Sequence, residues 1–217
     1  CSQSRGFGDV YKRQTIWGMS SSWTLTALPL FVWMGEILFR TKLSENLFEG
    51  LSPWMQKLPG GLIHVNVVGC AIFAAISGSS AATVATVGKM SIPELRKRNY
   101  PEKILLGSLA GSGTLGLLIP PSIILIIYGV TVQESIAKLF IAGIFPGIMI
   151  AIIFMTYVVI WSLMNKNKMP VLTEEIPFVE KIKKSGKLIP VILLIVSVIG
   201  SIYSGVATAT EAASLGV

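Results

Sequence analysis

Apolar residues fall into long runs separated by short polar connectors, and the run lengths set the first expectations. Residues 23–39 form the first strong apolar run, broken by Pro29 and by the lone acid Glu36. It is long enough to span a bilayer if it begins near residue 20. A polar connector follows at 40–59, with Arg40, Lys42 and Lys57 against Glu45 and Glu49. Residues 60–88 contain no Asp, Glu, Lys or Arg. Residues 104–128 are apolar again, split by Gly111-Ser112-Gly113-Thr114 and by Pro120-Pro121. Spans are expected at 141–164 and 188–203, and residue 205 opens a further segment. The pattern predicts an all-α polytopic membrane protein, with a transmembrane region over 15–204.

The stretch 60–88 is unusual inside. Its first part, 60–76, is apolar, but Ser77-Gly78-Ser79-Ser80-Ala81-Ala82-Thr83 is small and polar. One straight helix of that length would reach about 44 Å at 1.5 Å per residue, well beyond the roughly 30 Å hydrocarbon core. Two arms of about 14 residues would each reach just past half depth. A re-entrant hairpin with its tip at 77–83 therefore fits better than one long helix. Non-helical backbone at that depth is tolerated only where it faces protein or a water-filled cavity, so the tip marks a candidate site.

Composition sharpens this reading. Of 217 residues, 52% are hydrophobic and 13% charged, and mean hydropathy is +0.70. Soluble domains carry about 25% charged residues. The formal charge of +7 would suggest an acidic partner for a soluble protein. Here the bases sit in connectors, as the positive-inside rule expects, and nucleic acid is not an expected partner. Residues 89–103 hold five bases against two acids, and 165–187 hold six lysines against three glutamates. Both connectors are expected on the cytoplasmic side, with the neutral 130–138 outside. Cys70 lies in an apolar stretch and reads as a small buried hydrophobe. A single histidine rules out a multi-histidine metal site within the chain.

The candidate chemistry lies in two interruptions. Ser77, Ser79 and Ser80 offer hydroxyls beside Gly78, with Thr83 a turn on. Such oxygens suit a hard cation such as Na+; the alternative is a small-residue helix-packing face. The second interruption runs from Gly111 through Gly113, Thr114 and Gly116 to Pro120, Pro121 and Ser122. Gly costs about 1 kcal/mol and Pro about 3 kcal/mol in a helix interior. An interrupted helix over 104–129 would free carbonyls for a cation and N–H groups for an anionic substrate; the alternative is a proline kink relieved by neighbours. Na+ is expected near Ser79, Gly111 and Thr114, with tip and break close in space. Glu36 is expected to pair with Arg40, and His64 to hydrogen-bond locally. Glu211, in Thr208-Ala209-Thr210-Glu211, reads as a helix-start capping acid or part of a second tip.

No G-x-S-x-G, H-E-x-x-H, C-x-x-C or phosphate-loop signature occurs, so the chain is not expected to be an enzyme. Residues 1–14 lack helical period and a signal-peptide core. They read as adapter-derived sequence, excluded from fold reasoning. The chain reads as an internal fragment of something longer.

Several strings together carry a family resemblance: Pro29-Leu30-Phe31, Met34-Gly35-Glu36, Pro59-Gly60-Gly61-Leu62 and Ile76-Ser77-Gly78-Ser79-Ser80-Ala81. They continue in Gly113-Thr114-Leu115-Gly116-Leu117-Leu118-Ile119-Pro120-Pro121-Ser122, Ser135-Ile136 with Leu139-Phe140, and Ala142-Gly143-Ile144-Phe145-Pro146-Gly147. Residues 20–217 resemble the large membrane (M) subunit of TRAP transporters, the tripartite ATP-independent periplasmic transporters of C4-dicarboxylate type. The resemblance implies Na+-coupled secondary uptake of organic acids at a bacterial or archaeal inner membrane. A periplasmic substrate-binding protein would deliver the substrate, and a small membrane Q subunit, fused in some members, would join the large one. It implies an elevator-type transporter of inverted repeats, with 77–83 as the first hairpin tip and 111–116 as the unwound part of the partner helix. Thr208, Thr210 and Glu211 would belong to a second-repeat site, in a truncated hairpin start at 205–217. That stretch matches a G-x-x-T-P-T-E-A pattern except at Ala209, where the family usually has Pro. Needing no cofactor beyond the coupling ion is a further implication. Two other readings remain: a membrane assembly protein that binds no solute, and a Na+-coupled carrier of another superfamily with no binding protein.

Overall fold

A computed structural model describes residues 12–14, 16–18, 23–41, 43–170 and 177–217. Every regular element among them is helical. A 3-10 turn at Trp23–Thr26 leads into α1 (Ala27–Arg40), followed by α2 (Leu43–Met55) and α3 (Ile63–Ser77). Then come α4 (Ser80–Lys97) and α5 (Glu102–Gly113), which runs on into a 3-10 turn at Thr114–Leu117. α6 (Ile123–Val132) and α7 (Ile136–Met164) follow. α8 (Phe178–Ser185) continues through a 3-10 turn at Gly186–Leu188 into α9 (Ile189–Tyr203), and α10 (Ala209–Gly216) comes last.

The centre of the fold is α3. Apart from His64, Asn66 and Ser77 its residues are apolar or small on every face, and such a helix must be covered on every side. Ile63, Val65, Val67, Cys70, Phe73 and Ile76 are all buried, and α4, α5 and α7 pack around it. The periphery is the reverse. The stretches Ile136–Met164 and Phe178–Tyr203 are long and apolar enough to cross a bilayer, yet only 17% of each apolar window is buried. Phe145, Ile152, Leu193 and Val196 point outward. In water such faces would be costly at about 25 cal/mol per Å². They suit a lipid surround.

Local chemistry fixes the element ends. Gly78 takes the left-handed conformation at φ 60°, and its N–H donates to Ala74 O, which stops α3 in one residue. Ser79 is extended, and α4 starts immediately after it. The turn of the hairpin is therefore Gly78-Ser79 alone, tighter than the expected 77–83: Ser77 closes one arm, and Ser80 to Thr83 form the first turn of the other. The second arm also runs past residue 88 to Lys97, because Lys, Glu, Leu and Arg are good helix formers and charge alone does not end a helix. Within the 40–59 connector, α2 buries Leu47 and Leu51. The neutral loop 130–138 shrinks to 133–135, since α7 begins at Ile136. The last span lengthens at its start to Phe178, giving the length that 188–203 lacked.

Three connectors meet at one end of the bundle. A cleft of about 380 Å³ there is lined by Glu45, Glu49 and Ser52 of α2, Glu94 and Arg98 at the end of α4, and Lys184 of α8. Trp54 Nε1–H donates to Ser185 Oγ at 2.7 Å, and Lys187 pairs with Glu49. The Leu62 N–H donates to the Tyr100 hydroxyl at 3.1 Å, which ties the entry of α3 to the exit of α4. Both arms of the hairpin thus start and finish at the connector end. Glu36 pairs with Arg40 at 2.9 Å, and His64 Nε2 lies 2.8 Å from Pro59 O, both as expected.

Candidate functional site

The site is built where the α3–α4 turn meets the break between α5 and α6. At the turn, Ser77 and Thr83 are buried, and their hydroxyls lie 2.9 Å apart. Thr83 Oγ1 donates to Ser79 O at 2.8 Å, the Thr83 N–H reaches the same carbonyl at 3.0 Å, and Ser77 Oγ donates to it at 3.3 Å. Three donors on one carbonyl make the turn a self-satisfied knot at the buried end of two apolar arms. Ser79 and Ser80 are half-buried at its outer edge.

The partner helix breaks later than the glycine cluster suggests. α5 continues through Gly111 and Gly113, and the 3-10 turn carries Thr114 to Leu117, so 111–116 is helical rather than unwound. The chain leaves the helix at 118–122, where Ile119 precedes the cis Pro120-Pro121 bond. Proline has no N–H to donate and disfavours helix in the residue before it, and this outweighs the weaker cost of scattered glycines. The glycines serve close approach instead. A Cβ on Gly116 would stand 2.9 Å from Ser79 C and 2.9 Å from Ser80 N, and one on Gly78 would run into Pro121 O. A Cβ on Gly113 would collide with Val84.

Hydrogen bonds close the junction. The Ile123 N–H at the start of α6 donates to Gly78 O at 3.3 Å, and Ser122 Oγ donates to Leu117 O at 2.5 Å. Thr114 is exposed, and its Oγ1 donates to Gly111 O at 2.7 Å. The fold therefore gathers Ser77, Gly78, Ser79, Ser80 and Thr83 against Gly113, Gly116, Pro121 and Ser122, with Gly111 and Thr114 on the adjoining turn. Thr208, Thr210 and Glu211 are held elsewhere. Thr208 and Glu211 form a capping box at the start of α10, with Thr208 N–H to Glu211 Oε2 at 2.8 Å, and α10 packs on α1 and α9.

Sequence reasoning passed over two contributors. Asn66 is fully buried in α3; its Nδ2 donates to Ser108 Oγ at 3.0 Å and to Leu105 O at 3.3 Å, which ties arm to partner helix. A lone Asn within the apolar run 60–76 was the available signal. Gly35 of α1 backs the turn, since a Cβ there would be 3.1 Å from Ser77 Cα. Nothing in the order of residues marked that contact.

A short-armed hairpin seated in a broken helix, wrapped by outward-facing apolar helices, defines a membrane protein with a discontinuous helical core. The family model described as tripartite ATP-independent periplasmic transporter, DctM component, matches residues 9–217. The chain belongs to that family. It is 37% identical over 196 residues to the C4-dicarboxylate TRAP transporter large permease protein DctM of Pseudomonas aeruginosa, covering 90% of this chain and 45% of the relative. It is 35% identical over 208 residues to the isethionate TRAP transporter permease protein DctMQ of Oleidesulfovibrio alaskensis, covering 94% and 32%. With the ectoine/5-hydroxyectoine TRAP transporter large permease protein UehC of Ruegeria pomeroyi it shares 33% identity over 214 residues, covering 96% and 49%. The chain spans about half the length, or less, of these curated relatives.

Proposed function

We propose that this chain is the hairpin-bearing part of a Na+-coupled permease that takes up small organic acids delivered by a periplasmic binding protein. What carries the reading is the seating of the Gly78-Ser79 turn in the Pro120-Pro121 break. Interrupted helices at a repeat interface are where secondary transporters bind ion and substrate. The entry of α3 and the exit of α4 lie at the same end, as a hairpin that returns to its own side requires and one continuous crossing would not allow. The junction offers the Thr114 and Ser80 hydroxyls and backbone oxygens of the break to a cation, while the α6 N-terminus beyond Ser122 favours an anionic group. The substrates named for the three relatives are chemically alike in one respect: C4-dicarboxylates, isethionate and ectoine each carry a carboxylate or sulfonate. An anionic carboxylate or sulfonate group is the feature in common. A small membrane subunit of Q type, an inner-membrane location and elevator-type movement complete the proposal.

The test is uptake by the complete permease carrying this sequence, reconstituted with its partners in liposomes. Thr114→Val keeps the volume and removes the hydroxyl. It should raise the Na+ concentration for half-maximal uptake about tenfold, the effect of losing one ligand-strength contact. Unchanged Na+ dependence would remove Thr114 from the ion site. Uptake by the unaltered permease that ignores the Na+ gradient would sink the coupling itself.

A further inference from the structure

The short helix α8 turns polar side chains inward and apolar ones outward. Lys181 is only 8% exposed and Ser185 is half-buried, and both meet Trp54 of α2. Val179 is 79% exposed, with Phe178 and Ile182 exposed beside it. Phe178 and Ile182 are four residues apart and Val179 and Ile182 three, so the three share one face of the helix. Lys184 lies on the other side and lines the connector cleft. An amphipathic helix built this way, with its apolar strip away from the protein and bases around it, has the make-up of one that lies in a membrane interface.

Length sets its depth. The helix that runs from Phe178 to Tyr203 has 26 residues. A hydrocarbon core of roughly 30 Å takes about 20 of them at 1.5 Å per residue. Lys181, Lys183, Lys184 and Lys187 all lie towards the α8 end, so the excess belongs there, at the level of the headgroups. Trp54, at the end of α2, is clamped to α8 at the same level. Its Nε1–H donates to Ser185 Oγ at 2.7 Å, its ring meets Phe178 edge-on with centroids 6.4 Å apart, and Lys181 Nζ stands 6.0 Å from its ring centroid. The ring is nonetheless 44% exposed. A tryptophan with a bonded polar tip and an open apolar body is the residue type of membrane interfaces. Lys57 and Leu58, both exposed, follow it by three and four residues.

Two bases on this shelf are free. Among the described residues Lys184 pairs with Glu180 and Lys187 with Glu49, whereas no carboxylate pairs with Lys57 or Lys183. Lys183 is exposed and stands one turn from Val179, at the border of the apolar strip. We infer that the shelf formed by α8 and the end of α2 binds an anionic phospholipid of the surrounding bilayer. Lys183 and Lys57 receive the headgroup phosphate, and Phe178, Val179 and Ile182 lie against the upper part of the acyl chains. The sign of the charge selects the lipid: a zwitterionic headgroup would bring an ammonium of its own to two unpaired ammonium groups, and an anionic one would not. Long flexible lysine stems let both heads reach the headgroup layer while their methylenes cover apolar surface. The site is separate from the tip–break junction and holds whichever solute the permease carries.

The experiment uses the complete permease with its partners in mixed lipid–detergent micelles. Phospholipids brominated on their acyl chains quench tryptophan fluorescence on contact, and the share that belongs to Trp54 is the difference from Trp54→Phe. Brominated phosphatidylglycerol should quench that share at a concentration about fivefold or more below brominated phosphatidylcholine, the factor that one base near a membrane surface supplies. Lys57→Gln combined with Lys183→Gln should bring the two lipids within about twofold of each other, and the corresponding pair of arginine substitutions should keep the preference. Glycerol phosphate, the soluble headgroup alone, should not relieve the quenching. Equal quenching of the unaltered permease by the two lipids would overturn the anionic site, and so would a preference that survives the double glutamine variant. Quenching of Trp54 by neither lipid would mean that a protein segment covers the shelf and would overturn the lipid as occupant. Relief by glycerol phosphate would make this a soluble-phosphate site and overturn it equally.

Discussion

Gly78 and Gly116 carry the tip–break contact for two different reasons. Gly78 has φ 60°, and a side chain there would also run into Pro121 O. A non-glycine residue in the left-handed region costs roughly 1–2 kcal/mol before any clash. Gly116 has ordinary helical geometry but would press a Cβ within 2.9–3.0 Å of Ser79 and Ser80 backbone, which cannot swing aside as a flexible side chain can. Both Gly78→Ala and Gly116→Ala should therefore destabilise the permease by about 2 kcal/mol or more. Gly107→Ala, on the same helix as Gly113 but with nothing within 4 Å of its Cβ, should be neutral or gain up to about 1 kcal/mol from helix propensity. Thermal unfolding of the purified complete permease would order the three variants, and equal losses at Gly107 and Gly116 would contradict the close approach.

At the scale of elements, α3 and α5 are held together by apolar packing with one polar clamp. Asn66 makes one sound hydrogen bond to Ser108 and a longer one to Leu105 O, while its Oδ1 has no partner. A hydrogen bond between membrane helices is worth about 0.6 kcal/mol on average, and a buried unsatisfied acceptor costs about 1–3 kcal/mol. The two effects oppose each other. Asn66→Leu should thus shift the unfolding midpoint little, by an amount equivalent to under about 1 kcal/mol. A loss well above that would mean that Oδ1 is held by an ordered water or ion. The hairpin itself was legible in sequence because a charge-free run too long for one crossing contained a polar patch near its middle. Its exact turn was not, since Ser77-Gly78-Ser79-Ser80 offers several places to stop a helix and only the left-handed Gly78 chooses one.

For the whole molecule, the grouping of connectors makes a sidedness prediction. Single cysteines at Lys57, Lys103 and Lys183 in the complete permease should all be labelled from the cytoplasmic side of the membrane, and one at Glu134 from the opposite side. The charge pattern supports the side, with 89–103 carrying five bases against two acids. The structure supports the grouping, with α2, the end of α4 and α8 lining one cleft. Labelling of the Lys57 and Lys103 positions from opposite sides would turn the hairpin into a crossing and remove the basis for a buried tip.

By itself the sequence determined that the chain is helical and membrane-embedded, that its core is interrupted twice, and which family it joins. Those features follow from run length, hydropathy and the position of Gly and Pro, all of which act locally. Tertiary structure decided where the partner helix breaks and what the break meets. Along the sequence, glycines at 111–116 and prolines at 120–121 look like one weak region. In the fold they separate: the prolines end the helix because they lack N–H groups, while the helix runs on through the glycines despite their cost, and their missing side chains let the hairpin backbone approach. The roles of Gly35 and Asn66 were likewise beyond a linear reading, because each depends on a neighbour that is distant in sequence and adjacent only once α3 is covered on all sides.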